Sequence, residues 1–357
     1  MTHTWHMRDY REGDEAQILN LRQRVFGDLD PVRLRPETWR WQFRDNPAGE
    51  ALCVLAQDHD RIAGQYALIP TRFSVQGKET RFALSCDTMI DPDDRRQGLF
   101  TALARKAYQR LESESGITTV WGFPNEASLP GFARHLDWRR VTVFPLRVAL
   151  LRPLTLLRTR LGLKKASGTA PATRGGDSAA PVCANIPGLQ VEPVTRFDEE
   201  YDDLWNRHRN LAPVIQIRDA AYLNWRYAGI PDFGYRPFAI RSGGRLLGYM
   251  VIRTLTLMGH FFGVLTDLFP FPIRDIPTTH QLLHFARNCV RSEGAEFMTC
   301  LLSQADPPFF KAAGLKTVPA ILNPRKWHFG ARFAPRDAAL LGTAENWFLT
   351  YGDTDIV

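Results

Sequence analysis

The run Met89-Ile-Asp-Pro-Asp-Asp-Arg-Arg-Gln-Gly-Leu-Phe-Thr-Ala-Leu103 passes from an apolar strand, through a tight polar turn at Pro92, into an amphipathic stretch. Its pattern predicts a strand ending at Ile90 and a helix opening after Arg95-Arg96-Gln97-Gly98. A strand feeding a glycine-bearing turn that opens a helix aims backbone amides at phosphate oxygens, since first-turn N–H groups have no partner inside the helix. The helix dipole favours an anion there by ~0.3–1 kcal/mol, up to ~2 when partly buried. Gly98 lets a pyrophosphate approach the backbone closely. Arg95 and Arg96 supply charge-assisted contacts, and Thr101 offers a hydroxyl in the first turn.

Outward from this run, the first half reads as an α+β domain. A strand near Met7–Tyr10 meets Asp14, a suitable N-cap for a helix over Glu15–Val25 whose Ile18, Leu21 and Val25 keep the helical period. A second helix ends by Asn46-Pro47. Strands follow near Leu52–Gln57, Gly64–Ile69 and Phe82–Ile90, then a helix over Leu99–Ser113, a strand at Thr118–Gly122 and a short helix at Ser128–His135. A last pair of strands lies around Arg140–Leu151. That order is α+β, not the strict alternation of a doubly wound sheet.

The chain repeats itself at an offset of 184 residues: Met7 falls on Val191, Asp14 on Asp198, Trp41 on Trp225, Pro47 on Pro231 and Gly64 on Gly248. Further on the offset slips to 180, where Asp87 meets Asp267, and then to 178, where Phe132 meets Phe310. Insertions confined to loops produce such drift. Features shared by both halves serve the fold, so Trp41 with Trp225 and Gly64 with Gly248 read as packing and turn residues. The quoted run behaves differently. Its counterpart, Phe269-Pro-Phe-Pro-Ile-Arg-Asp-Ile-Pro-Thr-Thr-His280, has no glycine and three prolines, which donate no amide hydrogen bonds. One phosphate site is expected, in the first half.

Two domains of ordinary size suit 357 residues, 44% hydrophobic and 23% charged. The expected limits are 1–150, a segment 151–187, and 188–357. Residues 166–187, rich in Ala, Gly, Ser, Thr and Pro, read as a linker, and the basic amphipathic stretch 150–165 as a helix packed at a domain seam, with contact to an anionic membrane surface as the alternative. The net charge of +7 is local. Nine of the 45 basic residues lie between Asp137 and Asp177, leaving 36 against 38 acidic ones elsewhere, so no nucleic-acid partner is expected. Cys53, Cys86, Cys183, Cys289 and Cys300 are scattered and odd in number, as in a reduced, cytoplasmic protein. No apolar run reaches the ~20 residues of a membrane span, and Met1–Arg8 lacks the basic-then-apolar layout of a secretory leader, so none is expected.

Arg95-Arg96-Gln97-Gly98-Leu99-Phe100 resembles motif A of the GNAT acetyltransferases, Gln/Arg-x-x-Gly-x-Gly/Ala, with Phe100 where the family has Gly or Ala. Phe100 is expected to narrow the phosphate pocket. Asp9-Tyr-Arg-Glu-Gly-Asp-Glu15 resembles the family's first strand-to-helix turn. Gly122-Phe-Pro-Asn125-Glu-Ala-Ser128-Leu-Pro-Gly-Phe132 resembles its motif B. The resemblance implies two tandem GNAT-like domains, each a mixed, mostly antiparallel sheet flanked by helices, similar to the two GNAT domains of the Eis-like acetyltransferases. The second domain is the degenerate one. It further implies acetyl-CoA as co-substrate, wedged between splayed fourth and fifth strands. Its contacts are then Met89, Ile90, Arg95, Arg96, Gln97, Gly98, Leu99, Phe100, Thr101, Ser128 and Phe132, with Asn125 on the pantetheine arm and within the catalytic set.

The activity implied is N-acetylation of a primary amine, on a small molecule or peptide, by direct attack on the thioester. Attack on a thioester by an ammonium needs a base. Asp87 is placed for that role, with a structural role as the alternative because Asp267 matches it. The Tyr that serves the family as acid falls near Ala133, so no acid is assigned. Cys86 is a strand cysteine of the inert kind. His280 and His284 have no carboxylate between them, so no metal is expected. The aromatic, acidic C-terminal segment reads as a last strand of the second domain, or as a tail bringing Asp353 and Asp355 to a cationic acceptor. A Fem-like aminoacyl transferase and a non-catalytic CoA-binding scaffold are the competing readings.

Overall fold

Apolar, β-branched and aromatic runs favour strands. The two longest in the first half, β3 (Arg61–Val75) and β4 (Lys78–Ile90), pair as an antiparallel ribbon. The computed structural model describes residues 5–27, 31–153, 186–230, 232–257, 259–319, 321 and 326–354. The chain divides into two units, one of 1–143 with 325–346 and one of 144–324 with 347–357. Each has a mixed, mostly antiparallel sheet flanked by helices.

In the first unit, β1 (His6–Asp9), β2 (Leu52–Asp58), β3, β4, β5 (Val120–Gly122), β15 (Trp327–Arg332) and β6 (Arg139–Phe144) lie side by side in that order. Strands β1 to β4 pair antiparallel in succession, β5 joins β4 in parallel, and β15 runs antiparallel to β5. Helix α3 (Leu99–Ser115) turns Leu99, Leu103, Ala104, Ala107, Tyr108 and Leu111 to the sheet, where they meet Val54, Ala56, Tyr66, Leu68 and Ala83. Helices α1 (Glu15–Phe26), α2 (Pro36–Phe43) and α4 (Leu129–His135) complete the unit.

In the second unit the order is β8 (Gln190–Pro193), β10 (Arg236–Ser242), β11 (Arg245–Leu257), β12 (His260–Phe269), β13 (Phe297–Cys300), β7 (Arg147–Leu150) and β14 (Lys316–Thr317). Again one pair at the centre, β12 with β13, is parallel. Helices α5 (Glu199–His208) and α6 (Ile276–Ser292) pack on it, and β9 (Val214–Gln216) pairs in parallel with β16 (Trp347–Phe348). The ladders share a register: Gln65↔Met89 and Leu68↔Ser85 in one, Tyr249↔Phe269 and Ile252↔Leu265 in the other. Each register slips once between those pairs, beside Asp87 in β4 and Asp267 in β12.

Several details differ from what the sequence led us to expect. Strand β7 does not pair with β6; it lies between β13 and β14, while β15 from the C-terminal half lies between β5 and β6. The units therefore do not follow the limits at 150 and 188. Phe144-Pro145-Leu146 lacks the Gly or Asn of a two-residue hairpin turn, which leaves β7 free to pair elsewhere. Asp14 makes no side-chain cap to α1; its carboxylate is held by Arg8 at 2.6 Å and accepts from the Arg11 amide at 2.7 Å. Gly64 and Gly248 are not in turns. Both lie inside strands, where a Cβ would come within 3 Å of Ile90 or of the Phe269 carbonyl oxygen. Trp41 is buried and Trp225 packs on the second core. The linker and most of the basic stretch 150–165 lie outside the described residues. Among the described residues no helix is long and apolar enough to cross a membrane.

The C-terminal segment does not extend the second unit's seven-stranded sheet as expected; it forms the two-residue strand β16, paired with β9, and then closes into the second unit. Arg218, fully buried, holds Asp353 at 2.7 Å and Asp267 at 3.4 Å. The Tyr227, Tyr249 and Thr350 hydroxyls donate to Asp267, and Arg226 donates to the Gly352 and Thr354 carbonyls. Asp353 is thus committed to Arg218 and not to an acceptor amine; Asp355 lies outside the described residues. Burial pushes the Asp353 carboxyl above its usual range despite the guanidinium beside it. Arg218→Met leaves two carboxylates buried without their cation. We expect the unfolding free energy of the full chain to fall by ~3–5 kcal/mol, read from the denaturant midpoint; an unchanged midpoint would show that this ion pair does not hold the C-terminal segment.

Candidate functional site

Strands β4 and β5 stay together only briefly. Their ladder runs through Ala83↔Val120 and Leu84↔Trp121, after which β4 continues to Ile90 beside β3 while β5 ends at Gly122. The strands part at Ser85 and Gly122, whose backbones still touch: a Cβ on Gly122 would lie 2.9 Å from the Ser85 carbonyl oxygen. The equivalent pair in the second unit, Leu265↔Cys300, is still in the ladder.

Beyond Ile90 a short 3-10 turn, Pro92–Asp94, carries the chain to α3. Two buried carboxylates fix it. Asp91 accepts from the Asp93 amide at 3.1 Å, and Arg61 reaches Asp91 at 3.2 Å and Asp94 at 2.8 Å. Arg24 adds contacts of 3.0 Å to Asp91 and Asp93, and the Trp5 indole donates to Asp94. The hydrogen bond to Asp94, with Asp58 and Asp91 nearby, holds the Arg61 pKa above its ordinary value. Arg96 (φ 64°) and Gly98 (φ 82°) take left-handed backbone, and α3 begins at Leu99 with no side chain capping its end. A Cβ on Gly98 would meet nothing within 4 Å. The turn therefore delivers an uncapped helix terminus into open space.

The expected contact residues divide sharply. Arg95, Arg96, Gln97 and Gly98 are exposed at the terminus, and Thr101 is half-buried in the first turn. Arg95 Nε also donates to the Ile90 carbonyl at 3.3 Å. Met89 and Leu99 are core residues, 0% and 2% exposed, able to offer backbone alone. Phe100 turns to α4: its ring edge meets Phe132 at 5.1 Å between centroids, and a Cβ on Gly131 would lie 3.0 Å from it. Phe132 is buried against Trp138. Asn125 is exposed and caps the approach to α4, its side-chain oxygen accepting from the Ser128 amide at 2.9 Å. Ser128 Oγ donates to the Asn125 carbonyl at 3.3 Å.

Asp87 sits in the irregular part of β4 with φ 45°, its carboxylate 2.5 Å from the buried Arg22 guanidinium. Arg22 also donates to the Arg33 carbonyl. The carboxylate is thus held by a cation, as Asp267 is by Arg218. Cys86 is buried, 3.8 Å from Gln42 Nε2. His280 packs on Phe309, and among the described residues no group of three or more His, Cys, Asp and Glu gathers as metal ligands would.

Sequence reading passed over a chain of polar groups at the parting point. Ser85 Oγ, half-buried, lies 2.9 Å from Tyr66 OH; Tyr66 OH lies 2.6 Å from Tyr108 OH; and the Trp138 indole donates to Tyr108 OH at 2.8 Å. Burial pushes the Tyr66 hydroxyl well above its ordinary pKa and Tyr108 up to about 12. The four residues come from β3, β4, α3 and the loop before β6, up to 72 positions apart, and no local spacing signals them.

The second unit offers a contrast. Helix α6 carries Asp275 at its N-cap, whose carboxylate accepts from the Thr278 amide at 2.6 Å, with Pro277 in the first turn. That amide hydrogen bond holds the Asp275 carboxyl below its usual range. An anion sees a carboxylate at α6 and bare amides at α3.

A mixed sheet whose two central parallel strands part, with an uncapped helix following the longer one, defines a GNAT-type fold. Residues 6–141 match the family model described as an acetyltransferase (GNAT) domain. Among solved structures, a probable N-acyltransferase from Enterococcus faecalis V583 is similar, with TM-score 0.61, 11% identity, and 94% of this chain and 74% of that one covered. Saccharomyces cerevisiae N-myristoyltransferase with bound myristoyl-CoA gives 0.62 at 12% identity over 93% and 83%. A GCN5-related N-acetyltransferase from Anabaena variabilis ATCC 29413 gives 0.57 at 13% over 95% and 75%. No curated protein matches the sequence.

If the Arg22–Asp87 pair is structural, Asp87→Asn lowers the melting temperature by leaving a buried guanidinium short of charge, at about 3–5 kcal/mol for a broken buried pair. The double variant Arg22→Met/Asp87→Asn recovers part of that loss. A full-stability Asp87→Asn chain that has lost turnover would instead make Asp87 the base.

Proposed function

We propose that the chain is an N-acyltransferase that moves an acetyl group from acetyl-CoA to a primary amine of a small molecule or peptide. The observation that carries this is the uncapped N-terminus of α3, presented by a turn that Asp91, Asp94 and Arg61 hold rigid. Bare first-turn amides, the exposed Arg95 and Arg96 and the space at Gly98 suit a pyrophosphate. Past Leu84, β4 keeps β3 on one edge and has lost β5 from the other, so its free N–H and C=O groups can pair with the amides of a pantetheine arm. Gln97 and Thr101 flank the phosphates, and Asn125, with Ser128, lies on the opposite wall.

In this reading the second unit is a copy of the same fold that keeps its packing and has lost the phosphate site. The shared strand order, shared register and paired Asp87 and Asp267 support that descent. The capped terminus of α6 supports the loss. The resulting tandem layout is the one that resembles the Eis-like enzymes. Asp87, fixed by Arg22, belongs with the residues that shape β4, and the amine proton leaves by another group.

Thiol release on mixing the purified chain with acetyl-CoA and a panel of amines tests the proposal; release that requires an amine is expected. Gly98→Asp keeps a residue that tolerates left-handed backbone yet places a carboxylate at the terminus. It should weaken acetyl-CoA binding at least tenfold, about 1.4 kcal/mol. No thiol release with any amine, together with unchanged binding by Gly98→Asp, would refute both the function and the site.

A further inference from the structure

The fold leaves the length of the acyl group open. In the proposed function the pyrophosphate lies at the terminus of α3, and the pantetheine arm follows β4 back from Ile90. The thioester end of the arm then points at the inner end of the gap, where β4 and β5 close at Ser85 and Gly122. The side chains that stand there decide which acyl groups fit.

That inner end is built around two glycines. Gly122 in β5 faces Gly330 in β15 across the antiparallel ladder, so two neighbouring positions on one face of the sheet carry no side chain. Glycine weakens a strand and marks a place where another group comes close. Here that group is the indole of Trp138. A Cβ on Gly122 would lie 3.5 Å from its Cη2, and a Cβ on Gly330 would lie 3.3 Å from its Cε3. The ring therefore lies across both strands and fills the trough that the glycines leave. Trp138 is 4% exposed, its Nε1 donates to Tyr108 OH at 2.8 Å, and Phe132 packs on it with centroids 4.5 Å apart. The Ser85 hydroxyl donates to Tyr66 OH at 2.9 Å, so it too is committed to the wall. Side chains alternate along a strand, which puts Trp121 on the opposite face. It is fully buried there and donates to Thr71.

We propose that Trp138, seated on Gly122 and Gly330, closes the inner end of the donor site and restricts the acyl group to one of acetyl size. This deepens the proposed function and rests on it. An acyl chain that runs inward past the thioester meets the edge of the indole at Gly122. The hydrogen bond to buried Tyr108 and the contact with Phe132 keep the ring from swinging aside. Without the indole, a trough floored by backbone begins at Gly122, where the gap ends. One methylene too many for a closed apolar pocket lowers kcat/KM by about 10–200-fold.

The test measures thiol release by the full chain from acetyl-CoA and from hexanoyl-CoA, with the same amine. The wild type should favour acetyl-CoA by about 100-fold or more in kcat/KM, and Trp138→Ala should narrow that ratio by about tenfold or more through a gain with hexanoyl-CoA. Lost packing alone would slow both donors alike and leave the ratio where it was. If Trp138→Ala does not fold, Trp138→Leu opens part of the trough and should move the ratio the same way. A wild type that uses hexanoyl-CoA at least as readily as acetyl-CoA, or a folded variant with an unchanged ratio, overturns this assignment and leaves the proposed acyl transfer standing. A wild type that releases thiol from neither donor overturns both.

Discussion

The first unit depends on the parting of two parallel strands. A strand in the middle of a sheet satisfies its backbone on both edges, and β4 does so only as far as Leu84. From there, among the described residues, no strand lies along its outer edge. The turn that follows is built as a consequence. Buried Asp91 and Asp94 are held by Arg61, the left-handed Arg96 and Gly98 swing the backbone round, and α3 starts with its amides bare. The edge of β4 without a strand partner leads directly to a helix end without a side-chain cap.

Much of this was legible. The run Met89–Leu103 fixes the end of β4, the turn and the start of α3, because strand period, Pro92, Gly98 and helix period are all local signals. The repeat offset was legible from Trp41, Gly64 and Asp87 and their counterparts, and the two sheets share a strand order. Four kinds of feature were not. Arg22 lies 65 positions from Asp87 and nothing in either neighbourhood announces the pair. Asp14 looked like a cap because a cap is the local use of Asp before a helix, yet Arg8 and the Arg11 amide claim it. Strands β7 and β15 take places in the sheet of the unit formed mainly by the other half, which reading contiguous domains cannot foresee. The Ser85–Trp138 chain joins residues whose types are ordinary core choices one by one.

Comparing the two units separates scaffold from site. What both keep is the sheet order, the irregular strand, and an aspartate held by a buried arginine: Asp87 by Arg22 and Asp267 by Arg218. What only the first keeps is the early parting at Gly122, the bare end of α3 and the hydroxyl chain. In the second, the parallel ladder runs one pair further, to Leu265↔Cys300, before the strands part, and Asp275 covers the helix end.

The central claim is that one helix terminus, and not its counterpart, receives the acyl donor. Calorimetric titration of the full chain with acetyl-CoA measures that directly. The account predicts saturation at one molecule per chain. Saturation at two would mean that the Asp275-capped end of α6 also binds, and would contradict it.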